Sequence, residues 1–486
     1  MIQDNKNLKL ENTYCELPNI FYSKEIPEKI LNPKLVEFNK ELAEDLGLDL
    51  KFLNSDEGIQ YLVGNKLLEG STPIAQAYAG HQFGGFTMLG DGRALLIGEQ
   101  ITPSNQRFDI QLKGSGRTPY SRNGDGRAVL GPMLREYIIS EAMHGLNIPT
   151  TRSLSVISTG ENVYRETIQQ GAILTRVASS HIRFGTFEYA AYMLDYEKLK
   201  KLSDYTIKRH FPFLENNENK YINLLDEVIK LQASLVAKWQ SVGFIHGVLN
   251  TDNMSICGET IDYGPCAFMD VYNPDTVFSS IDTNGRYAYK NQIAIVNWNL
   301  YRLAETLLPL INSDENKAIE LAQNSLSKFI NLATSNLSHE MCSKIGIFEP
   351  KTSDIDLLNE LLNMMQKYKE DYTNTFIALT FNDLPQKGMF ISEEFINWKK
   401  KWEETLTLQN KSKDEVFDLM KNSNPAVIPR NHRVEEALSA ANNGDFSVMN
   451  NLLKALSNPF EHSEFQKEYA KLPSTPQCNY RTYCGT

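Results

Sequence analysis

The sequence predicts an α+β fold: an antiparallel sheet in the first part of the chain, then a mainly helical region with a helical C-terminal extension. Three observations predict it. Short alternating apolar runs between glycine-rich and Pro-Ser-Asn turns occupy residues 83–113, and two more runs follow at 153–158 and 172–177. After Phe184 the chain turns rich in Lys, Leu and Asn, with apolar residues at helical spacing. No Pro-, Ser- or Gly-rich linker separates the two parts, and no period of roughly 20–50 residues signals an array of repeats.

Taken in order, residues 34–46 read as a helix, because Leu35, Phe38, Leu42 and Leu46 recur at helical spacing. Residues 83–100 read as strand, glycine turn at Gly90-Asp91-Gly92, strand. A second turn at 102–105 leads to a third strand at 107–113, where Phe108, Ile110 and Leu112 alternate. Lys113 thus ends the third strand of an antiparallel meander. A glycine-bearing loop follows, then a helix at 132–144 with Pro132 in its first turn, Glu136 in its first half and Gly145 just past its end. Residues 221–239 form a strongly amphipathic helix, 243–274 short strands and loops, 291–454 mainly helices, and 473–486 loop. The organisation read from this is residues 1–185 as a sheet-bearing lobe, 186–454 as a mainly helical lobe, and 455–486 as a tail.

Bulk composition excludes several classes. With 41% hydrophobic and 22% charged residues the chain has an ordinary globular balance and can bury a large core. A net charge of −11 argues against a chain that coats nucleic acid or anionic membrane. The six cysteines form no C-x-x-C pair, so neither a disulfide framework nor a zinc site is expected. The first 18 residues carry no apolar core of an export signal, and no run reaches the roughly 18 apolar residues of a membrane helix. A cytoplasmic protein is expected, with no nucleic-acid or membrane partner.

One compositional anomaly locates a site. Between Arg93 and Arg183 lie ten Arg and a single Lys, Lys113, whereas the rest of the chain has six Arg and 32 Lys. Eleven of the 28 Gly lie between Gly80 and Gly131. Guanidinium forks grip phosphate bidentately, and glycine lets a backbone approach a ligand closely. The two biases in one window read as a phosphate site. Lys113, the one compact ammonium kept there, reads as a point charge for a pair of phosphate oxygens.

A strand ending in Lys, followed by a helix bearing Glu136, follows the logic of a protein-kinase small lobe, in which the Lys holds phosphates and the Glu holds the Lys. The predicted architecture is therefore a kinase-like two-lobed fold. Downstream, HGVLNTDN at 246–253 looks like a kinase catalytic loop and Ile261-Asp262-Tyr263-Gly264 like the Asp-Phe-Gly element, so Asn253 and Asp262 would hold Mg²⁺ through oxygen. One position departs: two residues after His246, where a kinase has its catalytic Asp, stands Val248. Asp252 is the nearest acid. Either the same parts perform a different transfer, or the chain is a small-molecule or protein kinase-type phosphotransferase, or a nucleotide-binding pseudokinase scaffold. Val248 counts against the kinases, and an intact Lys-Asn-Asp set counts against the scaffold.

The motifs AQAYAGHQFG at 75–84, LGDGR at 89–93, QLKGSGRTPYSR at 111–122, DGR at 125–127, TRVASSHIRFG at 175–185, the loop at 243–254 and IDYGPC at 261–266 closely resemble those of the selenoprotein O family. Residues 282–292 and 424–445 fit as well. The resemblance spans nearly the whole chain and implies a pseudokinase-like protein adenylyltransferase. Such a protein transfers AMP from ATP to Ser, Thr or Tyr hydroxyls of proteins, with the nucleotide flipped so that its α-phosphate faces the acceptor. Carried over by motif, Gly90, Gly92, Arg93, Lys113, Asp125, Gly126, Arg176, Arg183 and Asp262 contact the nucleotide. Asn253 and Asp262 bind Mg²⁺, or Mn²⁺ in its place, and Asp252 accepts the proton. Glu136 supports Lys113. Cysteine stands at position 484, where the family's namesake has selenocysteine, and a redox pair of Cys266 with Cys484 is a further expectation.

Overall fold

The computed structural model describes residues 10–193 and 195–473. Its sheet has nine strands, all antiparallel: β1 Tyr22–Lys24, β2 Lys34–Phe38, β3 Ile74–Gln82, β4 Gly85–Gly90, β5 Ala94–Ile101, β6 Arg107–Lys113, β7 Ala128–Val129, β8 Arg152–Tyr164 and β9 Ile168–Ala178. Their order is β1-β3-β5-β6-β9-β8-β2, with β4 added to β3 and β7 to β9. A two-stranded ribbon, β10 Phe244–Ile245 and β11 Ala267–Phe268, brackets the loop region beyond the sheet. The α+β class with an antiparallel sheet and many helices is therefore as the sequence predicts.

Two local expectations are corrected. Residues 34–46 are a strand and a short helix, not one helix. Lys34–Phe38 pairs with β8 from Lys34↔Ser158 to Phe38↔Ser155. Asn39 then caps the helix Lys40–Asp45, its side chain accepting from the Leu42 amide at 3.0 Å. Leu42 and Leu46 share a helical face, whereas Leu35 and Phe38 belong to the strand. The second correction concerns the meander. β4 and β5 flank the glycine turn but do not pair; β4 folds back on β3 through Phe83 (φ 52°) and Gly84 (φ 87°). The N-terminal end of β3 stays in the sheet, against β1 and β5. Its other end leaves with β4 as a projecting hairpin.

The helix Leu130–Gly145 is buried nearly all round, lying between β8 and β9 on one side and the helices Asn431–Asn442 and Ser447–Leu456 on the other. Gly145 is its last residue, and a Cβ there would stand 2.6 Å from the Leu456 carbonyl oxygen. One apolar cluster runs from Leu134, Ile138 and Val156 to Leu225, Trp239 and Leu300, so the sheet and the helices share a core. A second cluster, with Leu42, Leu95, Ile157 and Ile173, fills the other face of the sheet. A third lies mainly among helices, around Leu361, Phe376, Trp398 and Trp402.

Lys344 sits in that helical region, 2% exposed, its ammonium 3.2 Å from the Ser423 carbonyl and 4.7 Å from the Phe376 ring centre. Burial pushes its pKa down to about 7. Below pH 7 the group is charged in both folded and unfolded chains, and burial of that charge costs stability in full. Between about pH 7 and 10.4 the unfolded chain binds more protons, so the cost fades as pH rises. Lys344→Met should therefore stabilise the protein at pH 6.5, by about 2 kcal/mol, and give almost no gain near pH 10. Thermal melting of both proteins across that range checks it; an equal gain at both ends would contradict the burial argument.

Candidate active site

β6 delivers Lys113 to a cleft of about 540 Å³. Its walls are the turn after β4, the loop 121–127, β9, the residue before the helix Phe184–Tyr192, and the loop 250–253. Gly90, Gly92, Arg93, Lys113, Asp125, Gly126, Arg176, Arg183, Asp252, Asn253 and Asp262 all line this cleft. Residues up to 172 positions apart in sequence thus converge, the outermost being Gly90 and Asp262. Glu136 lies behind them. Its Oε2 accepts from Lys113 Nζ at 2.6 Å, and its Oε1 accepts from Arg176 Nε at 2.8 Å. Burial alone would raise the Glu136 pKa, but Arg176 and Lys113 overcome it and hold the carboxylate below its ordinary range.

Lys113 also stands 3.5 Å from Asp262 Oδ1. Burial works to raise the Asp262 pKa, yet Lys113, Arg176 and Arg93 together pull it well below the usual carboxylate range, so it is an anion at neutral pH. Its backbone is left-handed at φ 68°, a conformation that non-glycine residues adopt rarely and that clusters at functional sites. Asn253 donates its side-chain amide to the Val248 carbonyl at 2.9 Å. That bond fixes which end of the amide is the nitrogen and leaves the oxygen able to ligate a cation.

Asp252 is 6% exposed, and one of its oxygens, Oδ1, is buried with no hydrogen-bond partner. The other accepts weakly from Gln82 Nε2 at 3.3 Å. Burial pushes its pKa up to about 6 against the pull of Arg183. Gly80 makes this placement possible: a Cβ there would lie 2.3 Å from Asp252 Oδ1. The hairpin of β3 and β4 is tied to the same loop. His81 N donates to Thr251 Oγ1 at 2.7 Å and Phe83 N to Asn250 Oδ1 at 3.2 Å.

Arg183 donates to the Asp252 carbonyl at 3.1 Å and lies 4.3 Å over the Tyr78 ring. Asp125 accepts both terminal nitrogens of Arg165, at 2.8 and 2.9 Å, and the Arg127 amide at 2.9 Å. The Arg165 hydrogen bonds hold its carboxyl below the usual range. Gly126 has φ 70°, and a Cβ on it would overlap Gly116. His246 is buried and donates Nε2 to the Ile261 carbonyl at 2.9 Å, bracing the loop before Asp262. Arg135 serves structure, donating to the Cys266 carbonyl at 2.7 Å. Cys266 is fully buried, with its thiol pushed up to about 12 by burial; Cys484 lies outside the described residues.

Sequence reasoning did not select Tyr78, Asp91, Tyr164, Arg127 or Arg165 for the site, all of which line the cleft. Asp91 is a buried brace that accepts from the Gln76 amide at 3.1 Å and from Gln111 Nε2 at 3.3 Å. Arg127 and Arg165 belonged to the arginine anomaly, and only their pairing partners were unreadable. Tyr78 lies within the AQAYAGHQFG motif at 75–84, which marks the segment without singling out this ring.

Known proteins resemble the chain along nearly its whole length. A family model described as protein adenylyltransferase SelO matches residues 4–457. The protein nucleotidyltransferase YdiU of Bacillus cytotoxicus is 62% identical over 477 residues, which cover 98% of this chain and 97% of that protein. The protein nucleotidyltransferase YdiU of Clostridium beijerinckii is 61% identical over 485 residues, covering 100% of this chain and 99% of the relative. That of Clostridium perfringens is 58% identical over 489 residues, with 99% and 100% covered. Matched by this family model over residues 4–457 and by relatives about 60% identical along nearly its whole length, the chain belongs to the protein adenylyltransferase SelO family.

Proposed function

We propose that the chain is a protein adenylyltransferase that moves AMP from ATP onto Ser, Thr or Tyr hydroxyls of other proteins and releases pyrophosphate. The observation that carries this reading is the unpaired Asp252 Oδ1, in a cleft where Lys113, Arg176, Arg183 and Arg93 also converge. The cations cradle the triphosphate. The acceptor oxygen attacks the α-phosphorus, the bond from that phosphorus to the bridging oxygen breaks, and pyrophosphate leaves carrying the charge. The acceptor's proton passes to Asp252. Glu136 holds Lys113 in place, and Asp125 and Gly126 meet the nucleotide once Asp125 parts from Arg165. The fold is read as kinase-like, with residues 1–185 as small lobe, 186–454 as large lobe and 455–486 as tail. The protein is read as cytoplasmic; among the described residues no helix is long and apolar enough to cross a membrane.

The donor set fits a hard divalent cation, Mg²⁺ or Mn²⁺. Asn253 offers an amide oxygen and Asp262 an ionised carboxylate, both oxygen ligands. Among the described residues no three His, Cys, Asp or Glu side chains gather to hold a metal, and phosphate oxygens of the nucleotide together with water would complete the shell. When bound, such an ion neutralises charge on the leaving pyrophosphate.

Labelled ATP tests the reading. With the label on the α-phosphate, protein acceptors should become labelled; with the label on the γ-phosphate, they should not. A γ-label on protein or small molecule would support a kinase, and no transfer at all a scaffold. Lys113→Ala should lower transfer at least about a hundredfold, because both its contact to phosphate and its brace on Asp262 are lost. Full activity in that variant would overturn the cradle.

A further inference from the structure

The hairpin over the transfer loop turns apolar side chains outward. Phe83, Phe86 and Met88 are 40, 40 and 41% exposed, and Tyr192 beside them is 58% exposed. Phe86 stacks on Tyr192 with ring centres 5.1 Å apart, and His81 joins Phe86 to Trp298. Across Trp298 lies the Arg286 guanidinium, 4.8 Å from the ring centre, close enough to the hairpin that a Cβ on Gly84 would be 3.9 Å from it. Among the described residues no carboxylate pairs with Arg286. Asp282 accepts instead from the backbone amides of Arg286 and Tyr287, at 2.9 and 2.7 Å. Glu188 is engaged by His81 and Thr251, and Glu305 by Arg302. The Nε of Arg286 is buried without a partner.

An exposed aromatic patch beside a ring-stacked guanidinium that lacks its counter-ion is a surface with a missing partner. In a chain of net charge −11 such a cation is a local exception, and what complements it is a carboxylate. The patch is continuous with the transfer site, since Gln82, next to Phe83, touches Asp252 at 3.3 Å.

We propose that this platform docks the acceptor protein, and that it takes a segment with an Asp or Glu close to the modified hydroxyl. Arg286 grips the carboxylate, while Phe86, Met88 and Tyr192 receive an apolar neighbour. The inference rests on the transfer reading above and adds the acceptor's chemistry to it.

Synthetic peptides with one central Ser, Thr or Tyr, flanked by Glu, Gln or Lys, test it with α-labelled ATP. The expected result is a KM about tenfold lower for Glu-flanked than for Lys-flanked peptides, an energy of about 1.4 kcal/mol. Arg286→Glu should abolish or reverse that preference. Arg286→Gln should flatten it without adding a charge, with thermal melting as the check on folding. Phe86→Ser should raise KM for all peptides. Equal KM values in the unmodified enzyme, or a Glu preference that survives in Arg286→Glu, would overturn the docking and leave the transfer reading standing. If no peptide took up α-label, the transfer reading would fail and the docking with it.

Discussion

Replacing Asp262 by Asn is expected to lower AMP transfer by about 10³-fold or more and to lower the melting temperature at neutral pH, because Lys113, Arg176 and Arg93 lose the anion they stabilise. Asp262 is the anion on which the cleft's cations converge: Lys113 is 3.5 Å away, and Arg176 and Arg93 act on it as well. It is also the only charged member of the proposed metal pair. Asparagine keeps the size and one oxygen but removes the charge, so the ion that neutralises leaving pyrophosphate loses its main attraction. A factor of 10³ corresponds to about 4 kcal/mol, within the several kcal/mol that such charge stabilisation supplies. Folding should survive because Asn tolerates the left-handed backbone at φ 68° better than most residues. Steady-state pyrophosphate release, with Mg²⁺ titrated over a wide range, checks the claim. If more than about a tenth of the activity remained at low Mg²⁺, Asp262 would not hold the ion.

What could be read from the sequence follows from the range of the interactions involved. The arginine and glycine window located the cleft because phosphate chemistry constrains residue type directly, and nine of its arginines and glycines, with Lys113, line one cavity. β6 and the helix after it were legible because alternation and the Pro132 start are local signals. β3 was not. Its residues Ala75, Ala77, Ala79 and Gly80 have low strand propensity, and what makes them a strand is pairing with β4 and burial against the loop 250–253. Gly80 itself is explained only by Asp252, which is 172 residues away. The 34–46 segment failed for a similar reason. Its helical spacing was real, but Lys34–Phe38 is claimed by β8, more than a hundred residues downstream. Local periodicity cannot report a partner at that distance.

The proposed shift of the acid from position 248 to position 252 has a physical logic. Val248 occupies the position of a kinase's catalytic Asp, yet it is 4% exposed and its carbonyl holds Asn253. It contributes backbone geometry. The carboxylate four residues later takes the cleft-facing position, and the hairpin closes over it. A kinase loop presents its acid to a hydroxyl attacking the terminal phosphorus. Here the proposed acid is the neighbour of Asn253, the proposed metal ligand.

Asp252→Asn should accordingly reduce kcat for a Ser acceptor by about 10²–10⁴-fold, the usual contribution of a general base, with little effect on the KM for ATP. The substitution is nearly isosteric, and Gln82 can still donate to the remaining oxygen, so the loop should hold its shape. The fold should gain stability at pH 8, since an ionised carboxylate that burial disfavours is replaced by a neutral amide. Acceptor chemistry then separates a base from a brace. A Tyr hydroxyl, with pKa about 10, ionises far more readily than that of Ser, so it depends less on help from a base. If Asp252 removes the proton, the loss in Asp252→Asn must be smaller for a Tyr peptide than for the matching Ser peptide. If Asp252 only props the loop, both peptides lose the same factor. Equal losses, or a kcat within threefold of the unmodified enzyme for Ser, would remove Asp252 from the chemistry and leave the cleft without an identified proton acceptor.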